Sequence, residues 1–415
     1  MSQFLATSVL ILCVAFFWWQ IKGAQSLFFL KICTIIVILS GLAYAPQDAI
    51  VPPGAFSGFF GNTNIVRALA TILMVAALFS NKVPSAPLSH KAVLILATFP
   101  LYMAVLSAAT GEPAFTKGIL GFLLRMSDII CFFSLGFWLA SQGRPNEFAH
   151  FMMLVALVTV VISIFALAIE PITSLRADRF RGVSFSANWS GMYFALLVVP
   201  LFSMLLSDKR VFFRSTTLPI CIALLSLLAA TGSRGAFVSA LIGLLIYLFL
   251  NRKSLIAATG LGILAFLAFI LLPGEYSLSN LLITKRFATV ENTRETVWQD
   301  GWDRWLESGD ILIGSLDASN AVENQFLSIL FVYGVFGVVV AIICLIAIIA
   351  QVRKARKGRP SEASNVALSM IVVFFMSCVF EAPYFGVISA FNIFLYIAVG
   401  VVFGDKARRR CVGGV

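Results

Sequence analysis

Residues 324–350 read NQFLSILFVYGVFGVVVAIICLIAIIA, a run of 27 residues without a charged side chain. Roughly 20 apolar residues are enough to cross the hydrocarbon core of a bilayer as a helix. The following stretch, QVRKARKGR at 351–359, carries five cations and no anion. Because basic residues are retained on the cytoplasmic side of a membrane, the two stretches together predict a transmembrane helix that runs from outside to inside.

The apolar character extends over the whole chain. Of its 415 residues, 60% are hydrophobic and 12% are charged, whereas a soluble domain has roughly 25% charged residues. The mean hydropathy is +0.98. Further apolar runs lie at 4–19, 26–44, 65–80, 92–109, 119–141, 148–169, 188–206, 216–230, 235–250, 255–273, 363–380 and 386–403. The composition excludes a soluble enzyme and a DNA-binding protein, and runs of this length exclude a porin built from strands of about ten residues.

The net charge of +11 indicates a topology and not a nucleic-acid surface. The segments between the apolar runs alternate between a strongly basic set and a slightly acidic set, and the basic set is expected in the cytoplasm. Thirteen spans would put the first residue outside and the tail inside. Twelve spans, with one short N-terminal segment re-entrant or lying flat, would put both ends inside, and both alternatives stay open.

The predicted fold class is an all-α polytopic membrane protein with 12–13 transmembrane helices. Its parts are a first section of the helix bundle at 1–273, a long outside loop at 274–323, C-terminal transmembrane helices at 324–403 and a basic cytoplasmic tail at 404–415. Two shorter outside loops are expected within the first section, at 45–64 and 170–187. The long loop is the candidate for an extramembrane subdomain.

An amphipathic helix is predicted within the long loop. Trp298, Trp302 and Trp305 recur at i, i+4 and i+7, so they share one face of a helix. Tryptophan favours the headgroup level of a bilayer, which predicts an interfacial helix that rests on the membrane. Sugars also stack on aromatic faces, so the alternative is a lid or carbohydrate platform over a cavity. The two interpretations are compatible.

Arginines on the outside face form a second candidate feature. Arg179 and Arg181 lie in RFRG before a predicted span, Arg234 lies in TGSRGA between two short apolar runs, and Arg294 opens the tryptophan helix. A guanidinium group matches phosphate oxygens bidentately, and an arginine between apolar spans is costly unless it faces a cavity or an anion. The pattern predicts a diphosphate pocket at the outer leaflet. The alternative is snorkelling with headgroup contact.

Two carboxylates border the outside loops. Glu323 stands beside Asn324 where the long loop enters the span at 324–350, and Glu381 lies in a short loop after the next span. A partly desolvated carboxylate near arginines is a candidate general base, and Glu381 is a candidate to face the same cavity. The alternative for Glu323 is an acid that interacts favourably with the dipole of the following helix.

Metal and nucleotide chemistry have no signature in the sequence. The seven cysteines form no Cys-x-x-Cys pair, and both histidines, His90 and His150, lie on the predicted cytoplasmic side. There is also no phosphate-binding glycine loop of the kind found in ATPases and dinucleotide-binding proteins. We therefore expect no metal, no cofactor and no nucleic-acid partner.

Three ordered motifs resemble the O-antigen polymerase/ligase superfamily, the Wzy- and WaaL-like proteins. The first is RFRG at 179–182 followed by ANWSG at 187–191, and the second is GSRGA at 232–236. The third is Arg294-x-x-x-Trp298 in a long outside loop that ends in Glu323-Asn324-x-x-Leu327, followed by Gly334-x-x-Gly337. The order, spacing and topology are similar over residues 175–340. The resemblance implies a polytopic, inverting glycosyltransferase of the GT-C type in a bacterial inner membrane, with its active site and the three outside loops facing the periplasm.

The resemblance also implies substrates and residue roles. The donor would be a polyprenyl-diphosphate-linked glycan, such as one on undecaprenyl diphosphate, and the acceptor a second glycan, with no nucleotide sugar and no metal. By matching positions, Arg234 and Arg294 would bind the donor diphosphate, and Arg181 or Arg179 would line the same pocket. The other candidate substrate-binding residues are Asn188, Trp298, Trp302, Asn324 and Glu381.

Three functions follow from these features in order of preference. Ligases of this family carry His-Asn where this chain has Glu323-Asn324. This difference favours a polymerase of lipid-linked repeat units. Such a polymerase would have a chain-length regulator as a further partner. The first alternative is a ligase that transfers finished glycan to lipid A core. The second is a secondary transporter or flippase of an anionic lipid or solute, which should show inverted repeats and charges near mid-membrane; no convincing repeat is evident.

Overall fold

The structure of the chain is a computed structural model. It describes residues 31–39, 90–109, 115–141, 147–170, 174–176, 179–184, 186–206, 211–251, 293–307, 309–315, 324–358, 360–380 and 390–413. About 88% of this part of the chain is helical, and four of its helices are long and apolar enough to cross a membrane. The prediction of an all-α membrane protein is confirmed at this level.

The described helices coincide with predicted apolar runs, except for one that lies at the amphipathic helix predicted within the long loop. A helical stretch at 31–39 is followed by α1 (Lys91–Ala109), α2 (Phe115–Ser141), α3 (Glu147–Ile169), α4 (Ala187–Leu206), α5 (Val211–Ala230), α6 (Arg234–Leu250), α7 (Thr293–Glu307), α8 (Gln325–Ala355), α9 (Glu362–Phe380) and α10 (Ala390–Gly413). Between α3 and α4, a minimal antiparallel ladder pairs β1 (Leu175–Arg176) with β2 (Arg179–Phe180). The runs predicted at 4–19, 65–80 and 255–273 lie outside the described residues, as does the loop at 45–64.

Polar contacts join the ends of α6, α8 and α10 to the start of α9. The Asn365 side chain donates to the Asn251 Oδ1 atom at 2.9 Å, and Arg409 donates to the carbonyl oxygens of Ala355 and Lys357, each at 2.9 Å. These helix ends carry the basic residues of 353–357 and 406–410. We call this group of helix ends the predicted cytoplasmic end, because the distribution of charge predicts it on that side.

The opposite ends of the same helices also meet. The start of α6 packs on the end of α9, since a Cβ atom added to Gly235 would lie 2.5 Å from the Phe380 Cβ atom. Asn324, which precedes α8, donates its side-chain amide to the Val379 carbonyl oxygen at 2.8 Å. This second group of helix ends, which also includes the turn between α5 and α6 and the start of α4, is called the predicted outer end.

Helix α10 is the central helix of the described bundle. All residues from 391 to 405 are buried. Its close neighbour is α2, and three glycines line their crossing: Gly136 of α2 lies on the Ile397 carbonyl, and Gly400 and Gly404 of α10 lie on backbone atoms of α2. Membrane helices associate through such small residues because hydrocarbon supplies no hydrophobic drive for their association, so close backbone packing fixes this pair.

Helix α8 is broken near its outer end. Gly334 has a φ of 65° and a ψ of −170°, a conformation essentially restricted to glycine. The apolar run at 324–350 gives no sign of this break and predicts one continuous helix. The structure differs because a neighbouring segment replaces the helical hydrogen bonds that the break removes.

The replacement segment is 311–315, which follows α7. The Val335 and Phe336 backbone N–H groups donate to the carbonyl oxygens of Ile311 and Leu312 at 3.1 and 3.2 Å. In the opposite direction, the Ser315 backbone N–H and hydroxyl donate to the Phe331 carbonyl oxygen, at 3.1 and 3.2 Å. An unpaired backbone group is costly in an apolar environment, so these bonds make the break tolerable and attach the segment after α7 to α8.

Candidate functional site

The turn between α5 and α6 presents Arg234 at the predicted outer end. Gly232 has a φ of 58°, a left-handed conformation that glycine adopts without steric cost. The Ser233 hydroxyl caps α6 by accepting from the Ala236 backbone N–H at 3.4 Å. Arg234 is therefore the first residue of α6, and its side chain is exposed. The start of a helix carries unpaired N–H groups and a partial positive charge, so the turn favours an anion at this point.

Arg179 attaches β2 to the same turn. Its Nε atom donates to the Thr231 carbonyl oxygen at 2.6 Å, and its Nη2 atom donates to the Asn188 Oδ1 atom. The guanidinium also lies against Gly232, because a Cβ atom added there would be 3.5 Å from the Arg179 Nε atom. The structure thus brings together Arg179, Asn188 and the turn that bears Arg234. Two of the guanidinium nitrogens of Arg179 are engaged by protein oxygens, which gives this residue a role in positioning the turn.

Arg234 differs from Arg179 in its surroundings. Arg234 forms no hydrogen bond and no ion pair with any residue that the structure describes. It is a cation at a helix start, next to a second guanidinium that is already hydrogen-bonded. Such an exposed guanidinium keeps its donors available for an anionic ligand.

Arg181 lies in a different environment. The residue is buried, with 3% of its surface exposed, and it lines a small cavity together with Thr159, Ser163 and Tyr193. In an extended segment, side chains two residues apart point to the same side, which would place Arg179 and Arg181 together. The chain instead turns at Gly182, where φ is 56°, and Arg181 lines the cavity, away from Arg179. Among the described residues of the cavity lining, neither Arg179 nor Arg234 occurs.

Asn324 forms the cap of α8. Its Oδ1 atom accepts from the backbone N–H groups of Phe326 and Leu327 at 3.0 and 3.1 Å, while its amide donates to the Val379 carbonyl oxygen. An asparagine at this position satisfies helix N–H groups that have no partner within the helix. All polar atoms of the Asn324 side chain thus have a structural partner, and the residue connects the start of α8 to the end of α9.

Three of the predicted site residues lie wholly or partly outside the described part of the chain. Glu323 directly precedes Asn324 in the sequence, and Glu381 directly follows Phe380; both residues lie outside it. Arg294 lies in the first turn of α7, and its side chain is not among those described. The roles assigned to these three residues stay predictions.

The tryptophans of α7 pack against the first turns of α8. Trp305 is buried, with 7% of its surface exposed, and its ring centroid lies 6.3 Å from that of Phe331. The Trp302 ring lies 5.2 Å from the Trp305 ring but is 43% exposed, and Trp298 packs against the same cluster. Helix α7 is therefore held against α8 by its aromatic face, and Trp302 is the most exposed of the three tryptophans.

The sequence analysis missed two contributors to this region. The first is Gly191 of α4, where an added Cβ atom would lie 2.8 Å from the Ser233 Cβ atom and 2.9 Å from the Thr231 Oγ1 atom. The signal was present, because Gly191 ends the ANWSG motif. The second is the 311–315 segment. Its glycine, Gly314, adopts a φ of 78°, but a single glycine in the sequence does not predict that the segment pairs with α8.

The predicted outer end carries an exposed guanidinium at a helix start, Arg234, and α7 carries an exposed aromatic ring, Trp302. Among the described residues, no group of three His, Cys, Asp or Glu side chains could hold a metal ion. Comparison of the chain with protein-family models and with curated proteins finds no match. The function is therefore argued from the residues themselves.

Proposed function

We propose that this protein is a glycosyltransferase of a bacterial inner membrane that polymerises polyprenyl-diphosphate-linked oligosaccharide repeat units on the periplasmic face. The products would be an O-antigen, an exopolysaccharide or a capsule. The observation that carries the proposal is the Arg234 turn: an exposed guanidinium at a helix start, held by Arg179 and Asn188, at the end of the bundle opposite the basic residues. The proposal includes 12–13 spans and the periplasmic position of the loop at 274–323.

The donor diphosphate is assigned to Arg234 and Arg294. The acceptor hydroxyl oxygen attacks the anomeric carbon, and the bond from that carbon to the diphosphate oxygen breaks, so the leaving diphosphate keeps the electron pair and gains negative charge. Fixed guanidinium groups and helix N–H groups stabilise a charge that develops in the transition state. Attack from the opposite face inverts the anomeric carbon.

Glu323 is assigned as the general base. It would accept the proton of the acceptor hydroxyl as the new glycosidic bond forms. The support is its sequence position next to Asn324, whose side chain joins the starts and ends of helices at the predicted outer end. An ionised carboxylate at this position can take up this proton.

The glycan is assigned to the aromatic face of α7. Trp302 combines exposure with a fixed backbone, since Trp305 anchors the helix to Phe331 of α8. A rigid aromatic ring offers a stacking surface at a low cost in conformational entropy. Asn188, Asn324, Trp298 and Glu381 are assigned supporting contacts, with Asn188 and Asn324 acting through the residues that they hold in place.

The test is the surface glycan of a strain that lacks this protein, complemented with variants. A polymerase leaves single-repeat products in the deletion strain, whereas a ligase leaves long polymer on the carrier lipid. Wild-type protein should restore the polymer, and Glu323→Gln should fail to restore it while still binding the purified lipid-linked donor. Normal polymer in the deletion strain would overturn the proposed function, and normal polymer with Glu323→Gln would overturn the assignment of the base.

A further inference from the structure

The predicted cytoplasmic end holds a cluster of cations that the proposed function does not use. Arg409 of α10 donates through two nitrogens to the carbonyl oxygens of Lys357 and Ala355 and lies 3.3 Å from the Asp405 carboxylate. The same carboxylate accepts from the Ser361 backbone N–H at 3.2 Å. These bonds fix the last turns of α10 against the connection between α8 and α9.

This docking brings like charges together. Lys406 and Arg410 lie one turn apart on α10, and Lys354 lies in the last turn of α8. Partial burial and the nearby charges of Arg410, Lys354 and Arg409 lower the pKa of Lys406. Three cations from chain segments about 50 residues apart in sequence thus share one patch, although like charges repel.

Two acidic residues next to the patch in the described part of the chain are engaged by other groups. Asp405 is engaged by Arg409 and Ser361, and Glu362 accepts from the Tyr247 hydroxyl at 3.2 Å. In the ranges that the structure describes, Lys354, Lys406 and Arg410 form no hydrogen bond and no ion pair. The patch therefore carries a concentrated positive charge toward its surroundings.

The surface next to the patch is apolar. The exposed residues Ile343 and Ile346 of α8 lead toward Lys354 along one side of the helix, because residues three and four apart lie on the same face. On α10, Lys406 follows the buried Phe403 by three residues. At 1.5 Å per residue, Lys406 lies roughly 5 Å and Arg410 roughly 10 Å beyond Phe403, and Lys354 lies roughly 6 Å beyond Ala350. The long side chains of these residues therefore reach the headgroup layer of a bilayer.

We propose that Lys354, Lys406 and Arg410 bind the headgroup of an anionic phospholipid in the adjacent leaflet, with its acyl chains against the exposed isoleucines of α8. Charge complementarity selects the phosphate, and the apolar stripe selects a molecule with hydrocarbon attached. Basic pockets between transmembrane helices bind anionic headgroups in this way. The exposed isoleucines and the headgroup depth favour a lipid over the acidic segment of a soluble protein.

The test measures lipid binding to the purified full chain in detergent by native mass spectrometry. The probes are dioleoyl phosphatidylglycerol, dioleoyl phosphatidylcholine, inorganic phosphate and a polyglutamate peptide. The wild type should bind phosphatidylglycerol in preference to the other three. Removing all three cations, as Lys354→Gln, Lys406→Gln and Arg410→Gln, should weaken that binding about a hundredfold, since each basic residue near a lipid surface contributes roughly a fivefold factor.

The matched control is Arg304→Gln, which removes an exposed cation of α7 at the predicted outer end, away from the patch. It should change the phosphatidylglycerol affinity by less than about twofold. Unchanged binding in the triple variant, equal binding of inorganic phosphate, or binding of polyglutamate alone would each overturn the proposal. If the triple variant fails to fold, Lys406→Gln alone should show about a fivefold loss, and no loss in that variant would overturn the proposal as well.

Discussion

At the scale of residues, Arg179 and Arg234 meet at one turn but differ in what they contact. Arg179→Ala removes donors to Thr231 and Asn188. Hydrogen bonds from a charged group contribute roughly 1.5–3 kcal/mol, so we expect a fall of about that size in the free energy of unfolding.

Arg234→Ala removes an exposed side chain, so the free energy of unfolding should change by less than about 0.5 kcal/mol. Polymer synthesis should nevertheless be abolished, because the variant lacks the guanidinium assigned to the donor diphosphate. Thermal unfolding in detergent and surface glycan length measure the two effects.

The two arginine variants serve as controls for each other. A loss of polymer with an unchanged unfolding transition separates ligand binding from folding. Normal polymer in Arg234→Ala would contradict the diphosphate assignment. A large destabilisation by Arg234→Ala would contradict the exposure of its side chain and the absence of partners among the residues that the structure describes.

The environment of His90 makes the stability of the folded protein depend on pH. Burial and then the charge of Lys406 lower the pKa of His90 in the folded protein, and its ring packs 4.2 Å from that of Phe403. The unfolded chain, with a histidine pKa near 6.5, therefore binds a proton more readily than the folded protein. The contribution of His90 to stability is therefore complete above the pKa of the unfolded chain. It is lost as the pH falls from that pKa toward the lower pKa of the folded protein.

The midpoint of thermal unfolding should accordingly fall between pH 8 and pH 5.5. His90→Gln cannot take up the proton, so the fall should be shallower, although the variant also loses the ring contact with Phe403. Phe403→Leu is the matched control because it removes the same ring contact and leaves the imidazole of His90 in place, so the fall in the midpoint should persist. Equal slopes for wild type and His90→Gln would show that other groups cause the dependence.

The chemistry of single residues was predictable from the sequence, but their grouping was only partly so. RFRG and GSRGA predicted that Arg179, Arg181 and Arg234 belong to the outer face. Arg179 does contact the turn that bears Arg234, whereas Arg181 is buried in a separate cavity beside Tyr193. The direction of each side chain depends on the turn at Gly182 and on packing with α3 and α4, which no local pattern encodes.

At the scale of elements, the break in α8 allows a test of how much the contact between α8 and the 311–315 segment contributes to stability. Alanine at Gly334 would have to adopt a positive φ, and its Cβ atom would overlap the backbone of Leu312 and Gly314. We expect Gly334→Ala to lower the free energy of unfolding by more than about 2 kcal/mol. It should also loosen α7, which limited proteolysis between residues 307 and 325 would detect.

Gly309→Ala is the matched control for that substitution. Gly309 also has a positive φ, of 72°, but an added Cβ atom would meet no other atom within 4 Å. It should therefore show only the cost of a left-handed backbone, about 1 kcal/mol. Similar effects at Gly334 and Gly309 would mean that the contact between the 311–315 segment and α8 contributes little.

The existence of the helices was predictable, and their irregularities were not. The apolar runs at 148–169 and 188–206 match α3 and α4 closely, because length and hydropathy alone determine a span. The break at Gly334 escaped prediction since glycine is common in continuous membrane helices. Its hydrogen-bond partners lie about 20 residues earlier, so only the folded chain reveals why this glycine is required.

At the scale of the whole molecule, the two groups of helix ends differ in charge and in chemistry. The predicted cytoplasmic end combines the patch of Lys354, Lys406 and Arg410 with backbone clamping by Arg409. The predicted outer end combines the Arg234 turn with the aromatic face of α7. A membrane protein that binds a lipid-linked diphosphate on one side needs this asymmetry, because its cations on the other side fix its orientation.

The orientation of the molecule can be tested with its own cysteines. Cys411 is exposed near the end of α10, whereas Cys33, Cys131, Cys221, Cys344 and Cys378 are buried. A membrane-impermeant maleimide reacts only with an accessible thiolate on its own side. In spheroplasts, Cys411 should therefore react only after permeabilisation.

A second variant reports the opposite face. Glu307→Cys, at the exposed end of α7, should react in intact spheroplasts when Cys13 and Cys411 are replaced by serine. Labelling of Glu307→Cys only after permeabilisation would place α7 and its tryptophans in the cytoplasm. In that case the cation patch would face outward, and both the periplasmic polymerase and the lipid site in the inner leaflet would be wrong, because both depend on the same alternation of charge along the chain.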